Sequence, residues 1–260
     1  MNHLQQQREI HNQMYGQRVR GMGDDPFTRY LVAWRLRASM FRLLEVGKGR
    51  VTFDSSILIL CSGEGWEGTL ICDMGFRNVT ISDIANLAVA QGLDRDPRLR
   101  GLVLEAERSG LPDNAFEVVL VQDGLHHLQS PVQGFTEMLR LARTAVVFIE
   151  PHNSLVGNSI GTKWETHGSA VNYVFRWSKR LVEDVAASYL GPNAYDNHSV
   201  TYWHHTTVYK KVAHKIGGGL GRAAVRLIKF TLEGLLPNHG NNICGLVLKK
   251  HYCPLESRPS

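Results

Sequence analysis

Residues Ile57 to Gly68 read ILILCSGEGWEG, and the fold turns on how this stretch is parsed. Its first half is an uninterrupted apolar run, the pattern of a parallel strand buried on both faces. Its second half sets glycines at positions 63, 65 and 68. Glycine accepts the positive φ angles of a tight turn and lets a ligand come close to the backbone. By letter, Gly63, Gly65 and Gly68 form G-x-G-x-x-G, the spacing that lays a dinucleotide pyrophosphate on a helix N-terminus. The first unit predicted is therefore strand, glycine turn and helix, with a nucleotide cofactor as its ligand.

The chain then repeats that unit. Residues 78–82 (NVTIS) read as a second strand, 86–91 as a helix, 102–104 as a short strand, 116–121 (FEVVLV) as a fourth, 132–142 as a helix and 145–150 (AVVFIE) as a fifth strand. Strands alternating with helices predict a Rossmann-like, doubly wound α/β fold. Its sheet is expected to be mostly parallel and seven-stranded, with an antiparallel edge strand. Upstream, residues 25–44 place Leu31, Trp34, Leu36, Met40, Phe41 and Leu44 on one helical face. Beyond Pro151, a Gly/Asn/Ser-rich stretch over 152–172 reads as a long loop or a helical insertion after the fifth strand, of a length that is usually functional or disordered. Ser178 is placed to cap a helix over 179–190. Residues 199–209 read as β-rich, 222–236 as an amphipathic helix ended by Pro237, and 243–249 as a last strand that pairs antiparallel at the sheet edge. The expected organisation is an N-terminal helical lid (1–48), an α/β domain (49–252) with insertions near 152–177 and 214–237, and a tail (253–260).

Composition narrows the partners. A net charge of +5 is mild, and the Lys and Arg residues are scattered along the chain with no phosphate-tracking run, so nucleic acid is not indicated. The four cysteines form no C-x-x-C pair and have no zinc-like spacing with His, so reduced thiols and no metal are expected. No segment approaches the roughly 18 apolar residues of a membrane span. A cytoplasmic protein without a membrane partner follows as the expectation, and the composition is compatible with a homodimer. The Gln-rich start and the tail are expected to be poorly ordered.

Asp83 lies where an acid at the end of the second strand accepts ribose hydroxyls. That acid alone does not separate NAD from S-adenosylmethionine, since both carry an adenosine ribose. The second half of the sheet separates them. Residues 111–128, LPDNAFEVVLVQDGLHHL, with Glu105-Ala106 upstream and TEMLRLARTAVVFIEP downstream, resemble the class I methyltransferases that use S-adenosylmethionine, in their small-molecule, methyltransferase type 11-like branch. The resemblance covers most of 57–151 and rests on Leu111-Pro112, Phe116-Glu117 and Leu125-His126-His127. Two positions depart from it: Ile59 stands where the family has an acid, and Cys61 where it has the first glycine of the turn. The resemblance implies that Cys61, Gly63, Glu64 and Gly65 approach the amino-acid part of the cofactor. It puts Asp83 and Ile84 beside the ribose, Glu105 and Ala106 at the adenine, and Gln122 near the transferable methyl. Gly68 then becomes a helix-packing residue.

Methyl transfer from a sulfonium is an in-line displacement, and a hydroxyl acceptor must also lose a proton. Histidine titrates near neutral pH and suits that task. His126, His127 and His152 follow the fourth and fifth strands, where ligands of such sheets collect. In the sugar O-methyltransferases that this chain resembles, a His of the His-His turn serves as base, which ranks His126 and His127 ahead of His152. His204 and His205, adjacent on an expected strand, would point to opposite faces and hold no metal. Trp164, His167 and Tyr173 give the segment after the fifth strand the mixture of an acceptor pocket. The expected activity is S-adenosylmethionine-dependent methylation of a hydroxyl on a small polar metabolite, a sugar or natural-product intermediate. Methylation of nitrogen or carboxylate, and NAD(P)-dependent oxidoreduction, are the alternatives, the last one lacking a Tyr-x-x-x-Lys pair.

Overall fold

Along the ILIL run, side chains alternate between the two faces of the sheet and none reaches solvent: Ile57, Leu58, Ile59 and Leu60 are all buried. The computed structural model, which describes residues 3–16, 26–167 and 170–250, shows why. Two helices come first, α1 (His3–Gly16) and α2 (Pro26–Val46). They are followed by β1 (Ser56–Leu60), α3 (Trp66–Asp73), β2 (Asn78–Asp83), α4 (Asn86–Arg95), β3 (Arg100–Val103), β4 (Phe116–Gln122), a 3-10 turn (Leu125–His127), α5 (Pro131–Leu141) and β5 (Ala142–Pro151). The sheet runs β3-β2-β1-β4-β5, all parallel, with β1 at its centre. Leu36, Met40 and Leu43 of α2 and Ile71 of α3 pack on the face that holds Ile57 and Ile59. Phe135 and Met138 of α5 pack on the face that holds Leu58 and Leu60.

The chain continues with α6 (Leu155–Ile160), β6 (Trp164–His167), β7 (Ala170–Tyr173), α7 (Lys179–Leu190), β8 (Tyr195–Asn197), β9 (Val200–Tyr202), α8 (Thr206–Ile216), α9 (Gly218–Leu235) and β10 (Asn242–Lys249). β10 lies antiparallel to β5, and β8 and β9 lie end to end along its other side, sharing the seventh position of the sheet. Ser178 caps α7 as expected, its hydroxyl accepting from the Leu181 N–H.

Four local expectations are corrected. The Gln-rich start is helical as α1. The stretch after Pro151, expected to be a helical or loop insertion, holds α6 but also a two-stranded hairpin of β6 and β7. The β-rich reading of 199–209 stops at Tyr202, because the His205 side chain accepts from the Val208 N–H and starts a helix instead. The late amphipathic helix begins at Gly218, where Gly217 at φ 84° breaks it from α8. The tail beyond residue 250 lies outside the described residues.

Candidate active site

Strand order reverses between β1 and β4, and the loops leaving their C-terminal ends part there. A cavity of about 1490 Å³ opens at that point, floored by these loops and walled by α1 and α2. The turn after β1 is left-handed at Cys61 (φ 51°), Gly63 (φ 50°) and Gly65 (φ 70°). Cys61 thus adopts the conformation that the family gives to glycine, a strained one for a residue with a Cβ. A Cβ on Gly63 would stand 2.5 Å from the Tyr15 hydroxyl, which covers the turn from α1. Gly65 lies under the turn instead, where a Cβ would press on Ile81 at 2.7 Å, and Gly68 seats α3 against Ile81 and Leu99.

Asp83 ends β2 and is buried. One of its oxygens accepts from the Gly63 N–H at 2.9 Å and the other from the Ala85 N–H at 2.9 Å, tying the glycine turn to the start of α4. Glu64 is fixed from outside by Arg95. Ile84, Glu105, Ala106 and Gln122 complete this part of the lining. The Gln122 side-chain amide is buried with neither its oxygen nor its nitrogen hydrogen-bonded, an arrangement that calls for a polar ligand.

Three ionisable side chains at this end, Arg35, Glu67 and Tyr15, escaped the sequence reading. Arg35 of α2 is buried and clasps Asp123, the residue after β4, with both of its terminal nitrogens, while also donating to Asn242 at the start of β10. This ties the N-terminal helix to the reacting end of the sheet. Glu67, in the first turn of α3, lines the same cavity with one carboxyl oxygen unpartnered. Desolvation raises its pKa to about 8, with the nearby Asp123 adding to the rise and its own helix N–H and Arg35 opposing it. Tyr15, also on the cavity wall, has its phenol pKa pushed up by burial and by Asp83. The pairings join residues far apart in sequence, so no local spacing announces them; an acid at position 67, in the first turn of a helix that packs on the sheet, was the available signal.

The two histidines of the turn part company. His126 is buried, its Nδ1 2.6 Å from Glu150, and Glu150 in turn accepts from the Gly124 and Leu125 N–H groups at 2.8 and 2.7 Å. The Nε2 atom lies 3.6 Å from Glu165 of β6. Burial alone would depress the His126 pKa, but the Glu150 carboxylate and the contact with Glu165 outweigh it and lift the value to about 10. The direction of this shift favours the imidazolium form, and the Glu150 contact occupies Nδ1, so His126 is held as a bracket of the turn. His127 lines the cavity. Donor atoms of His126, His127 and Glu165 lie within 4.8 Å of one another, the one such group found among the described residues.

His152 follows β5 but is bound to the Gly240 carbonyl at 2.7 Å through Nδ1, off the cavity lining, and burial lowers its pKa. Trp164 and Tyr173 stack edge to face on the hairpin at 61% and 57% exposure, also off the lining. The His167 side chain lies outside the described residues. His204 and His205 follow β9 as a helix start and lie on no strand; His204 is buried beside Thr206.

The sheet order, the glycine turn beneath an acid-tipped β2 and the pocket at the end of β4 make up the Rossmann-like methyltransferase fold expected from the sequence. Residues 58–149 match the family model described as a methyltransferase domain. A demethylmenaquinone methyltransferase from Beutenbergia cavernae is 32% identical over 133 residues, 48% of this chain and 53% of that protein, so the chain spans about half the length of the relative it matches. Among solved structures, the magnesium protoporphyrin IX methyltransferase of Synechocystis PCC 6803 with bound S-adenosylmethionine superposes with a TM-score of 0.58 at 10% identity, over 96% of this chain and 98% of that one. A structure described as a sarcosine dimethylglycine methyltransferase from Galdieria sulphuraria gives 0.54 at 13% identity, over 82% and 86%. At such identities the solved structures attest the fold.

Proposed function

We propose that this protein transfers the methyl group of S-adenosylmethionine to a hydroxyl oxygen of a small polar molecule, a sugar or natural-product intermediate, with His127 taking the hydroxyl proton. The observation that carries the reading is a single cavity lined by every residue assigned to the cofactor from sequence except Gly65, and by His127 as well. The orphaned Gln122 amide and the unpartnered Glu67 oxygen fit a cofactor rich in polar groups. When bound, S-adenosylmethionine supplies an electrophilic methyl on a sulfonium.

The chain's own part is alignment, water exclusion and proton removal. The Cys61-to-Gly65 turn presents its backbone to the amino-acid end of the cofactor, and the Asp83 carboxylate is available to the ribose hydroxyls once they compete for its two N–H partners. Glu105 and Ala106 sit toward the adenine. Tyr15 on α1 covers the turn, and the Arg35–Asp123 pair holds α2 across the reacting end. His126, fixed by Glu150, sets the turn that aims His127 into the cavity.

Isothermal titration with S-adenosylmethionine and with NADH tests the reading. Binding of the first and none of the second is expected; tight NADH binding without response to S-adenosylmethionine would overturn it.

A further inference from the structure

The α8–α9 hairpin carries a surface that the cavity does not use. On α9, Gly221, Val225 and Lys229 face inward, four residues apart, and Val225 packs with Leu31 of α2 and Tyr209 of α8. The opposite face should be polar in a helix that merely covers a core. It instead presents Leu220, Leu227 and Phe230, at 77%, 66% and 77% exposure, with Leu235 and, from α8, Ile216 also exposed. Scattered exposed apolar residues are ordinary, but an apolar stripe aligned along one helix marks an interaction face.

The charge around the stripe is one-sided. Residues 206–236 hold Lys210, Lys211, Lys215, Arg222, Arg226 and Lys229 against a single acid, Glu233, a balance of +5 that equals the net charge of the whole chain. Apart from the adjacent Lys210 and Lys211 the cations are spaced singly and form no long run in the sequence; the concentration comes from the missing acids. Glu233 is taken by Lys229, which lies over the Trp34 ring. Lys211, Lys215, Arg222 and Arg226 stay exposed around the apolar stripe.

We propose that the outer face of the α8–α9 hairpin seats this protein on an anionic lipid bilayer, with Leu220, Leu227 and Phe230 in the acyl boundary and the flanking Lys and Arg among the headgroups. Apolar anchors ringed by cations are what a helix lying in the interface plane requires. Among the described residues no helix is long and apolar enough to cross a membrane, so the attachment is peripheral. A second copy of the chain suits the face poorly, because docking like on like would bring two uncompensated cationic rims together. Arg226 ties the hairpin to the cavity wall, lying over the ring of Tyr30 and donating to its hydroxyl at 2.9 Å, so the attachment holds the cavity rim close to the lipid.

Co-sedimentation with vesicles of phosphatidylcholine containing phosphatidylglycerol, against phosphatidylcholine alone, tests this on the full chain. Binding is expected to the anionic vesicles and to fall steeply with salt. Leu227→Glu with Phe230→Glu should abolish it, and Lys215→Gln with Arg222→Gln should weaken it by on the order of tenfold or more. Both variants should bind S-adenosylmethionine and melt like the parent, since the altered side chains are exposed. Absence of binding to anionic vesicles, binding indifferent to these variants, or a dimer by light scattering that Leu227→Glu with Phe230→Glu dissolves would each overturn the proposal.

Discussion

His126 and Glu150 are locked together, Nδ1 to carboxylate at 2.6 Å, both side chains withdrawn from solvent. This contact divides the work of the histidine pair. Glu150 also receives two backbone N–H groups of the following turn, so its charge is fully used in shaping the loop after β4. Replacing His126 with Ala leaves a buried carboxylate without its cation, a loss of about 3 kcal/mol or more. His127→Ala, by contrast, should change stability by about 1 kcal/mol or less while removing the proposed proton acceptor. Urea melts of both variants alongside methyl-transfer rates check the division: a His126 variant as stable as the parent would refute the bracket role. With an identified hydroxyl acceptor, undiminished turnover in His127→Ala would refute the base.

The same pair makes a pH prediction. The His126 pKa is raised in the folded protein from an ordinary 6.5 to about 10. Its stabilising effect is therefore complete below about 6.5, declines as pH rises, and is lost by about 10. The stability difference between the parent and His126→Gln should shrink across that window, as measured by chemical denaturation at several pH values. A difference constant from pH 6 to pH 10 would show that the histidine carries no charge in the fold.

Sheet and site were legible to different degrees, for physical reasons. The apolar runs of β1, β4 and β5 are buried on both faces, and such burial leaves an unbroken signature in sequence. The glycine turn, Asp83 and the His-His turn were legible because backbone geometry and loop position restrict them to particular residue types. The start of α8 was not, since its cap is a histidine ring and Thr, Val and Tyr after it suit strands equally. Arg35 lies 88 residues from Asp123 and carries no local mark of that pairing. Its partner is set by tertiary packing, to which local pattern is blind.

Arg35 yields a prediction of its own. Its guanidinium meets Asp123 with two nitrogens and reaches Asn242 as well, in a buried setting where planar, forked donors matter. Arg35→Lys keeps the charge but not the fork, and should cost about 2 kcal/mol. Arg35→Met strands Asp123 and should cost more, with weaker S-adenosylmethionine binding because α2 loses its tie over the cavity. Thermal melts and titration calorimetry read both effects. Parent-like cofactor affinity in Arg35→Met would mean that α2 does not help close the site.

Glu67 behaves in the opposite sense from a salt-bridged acid. Its folded pKa, near 8, lies above the ordinary 4.5 because burial penalises the carboxylate. Folding is thus favoured at low pH, and this contribution is lost as pH climbs from about 4.5 through about 8. Glu67→Gln keeps the shape without the ionisation, so it should match the parent at pH 5 and exceed it by on the order of 5 kcal/mol at pH 9. Melting both proteins across that range is the check, and parallel curves would show that Glu67 ionises freely in the fold.

Tyr15 and Gly63 supply a coupled test of the cavity roof. A methyl on Gly63 would stand 2.5 Å from the Tyr15 hydroxyl oxygen and 3.5 Å from the ring carbon that bears it. Gly63→Ala therefore faces a left-handed backbone penalty of about 1 kcal/mol and a clash in addition. Tyr15→Phe removes the oxygen and leaves the ring at ordinary contact distance. In the double variant the clash vanishes and the backbone penalty remains, so its stability loss should be smaller than the sum of the two single losses by about 1 kcal/mol. A double-mutant cycle by thermal melting measures the coupling. Additive losses would mean that Tyr15 does not close over the glycine turn, and α1 would then be no part of the roof.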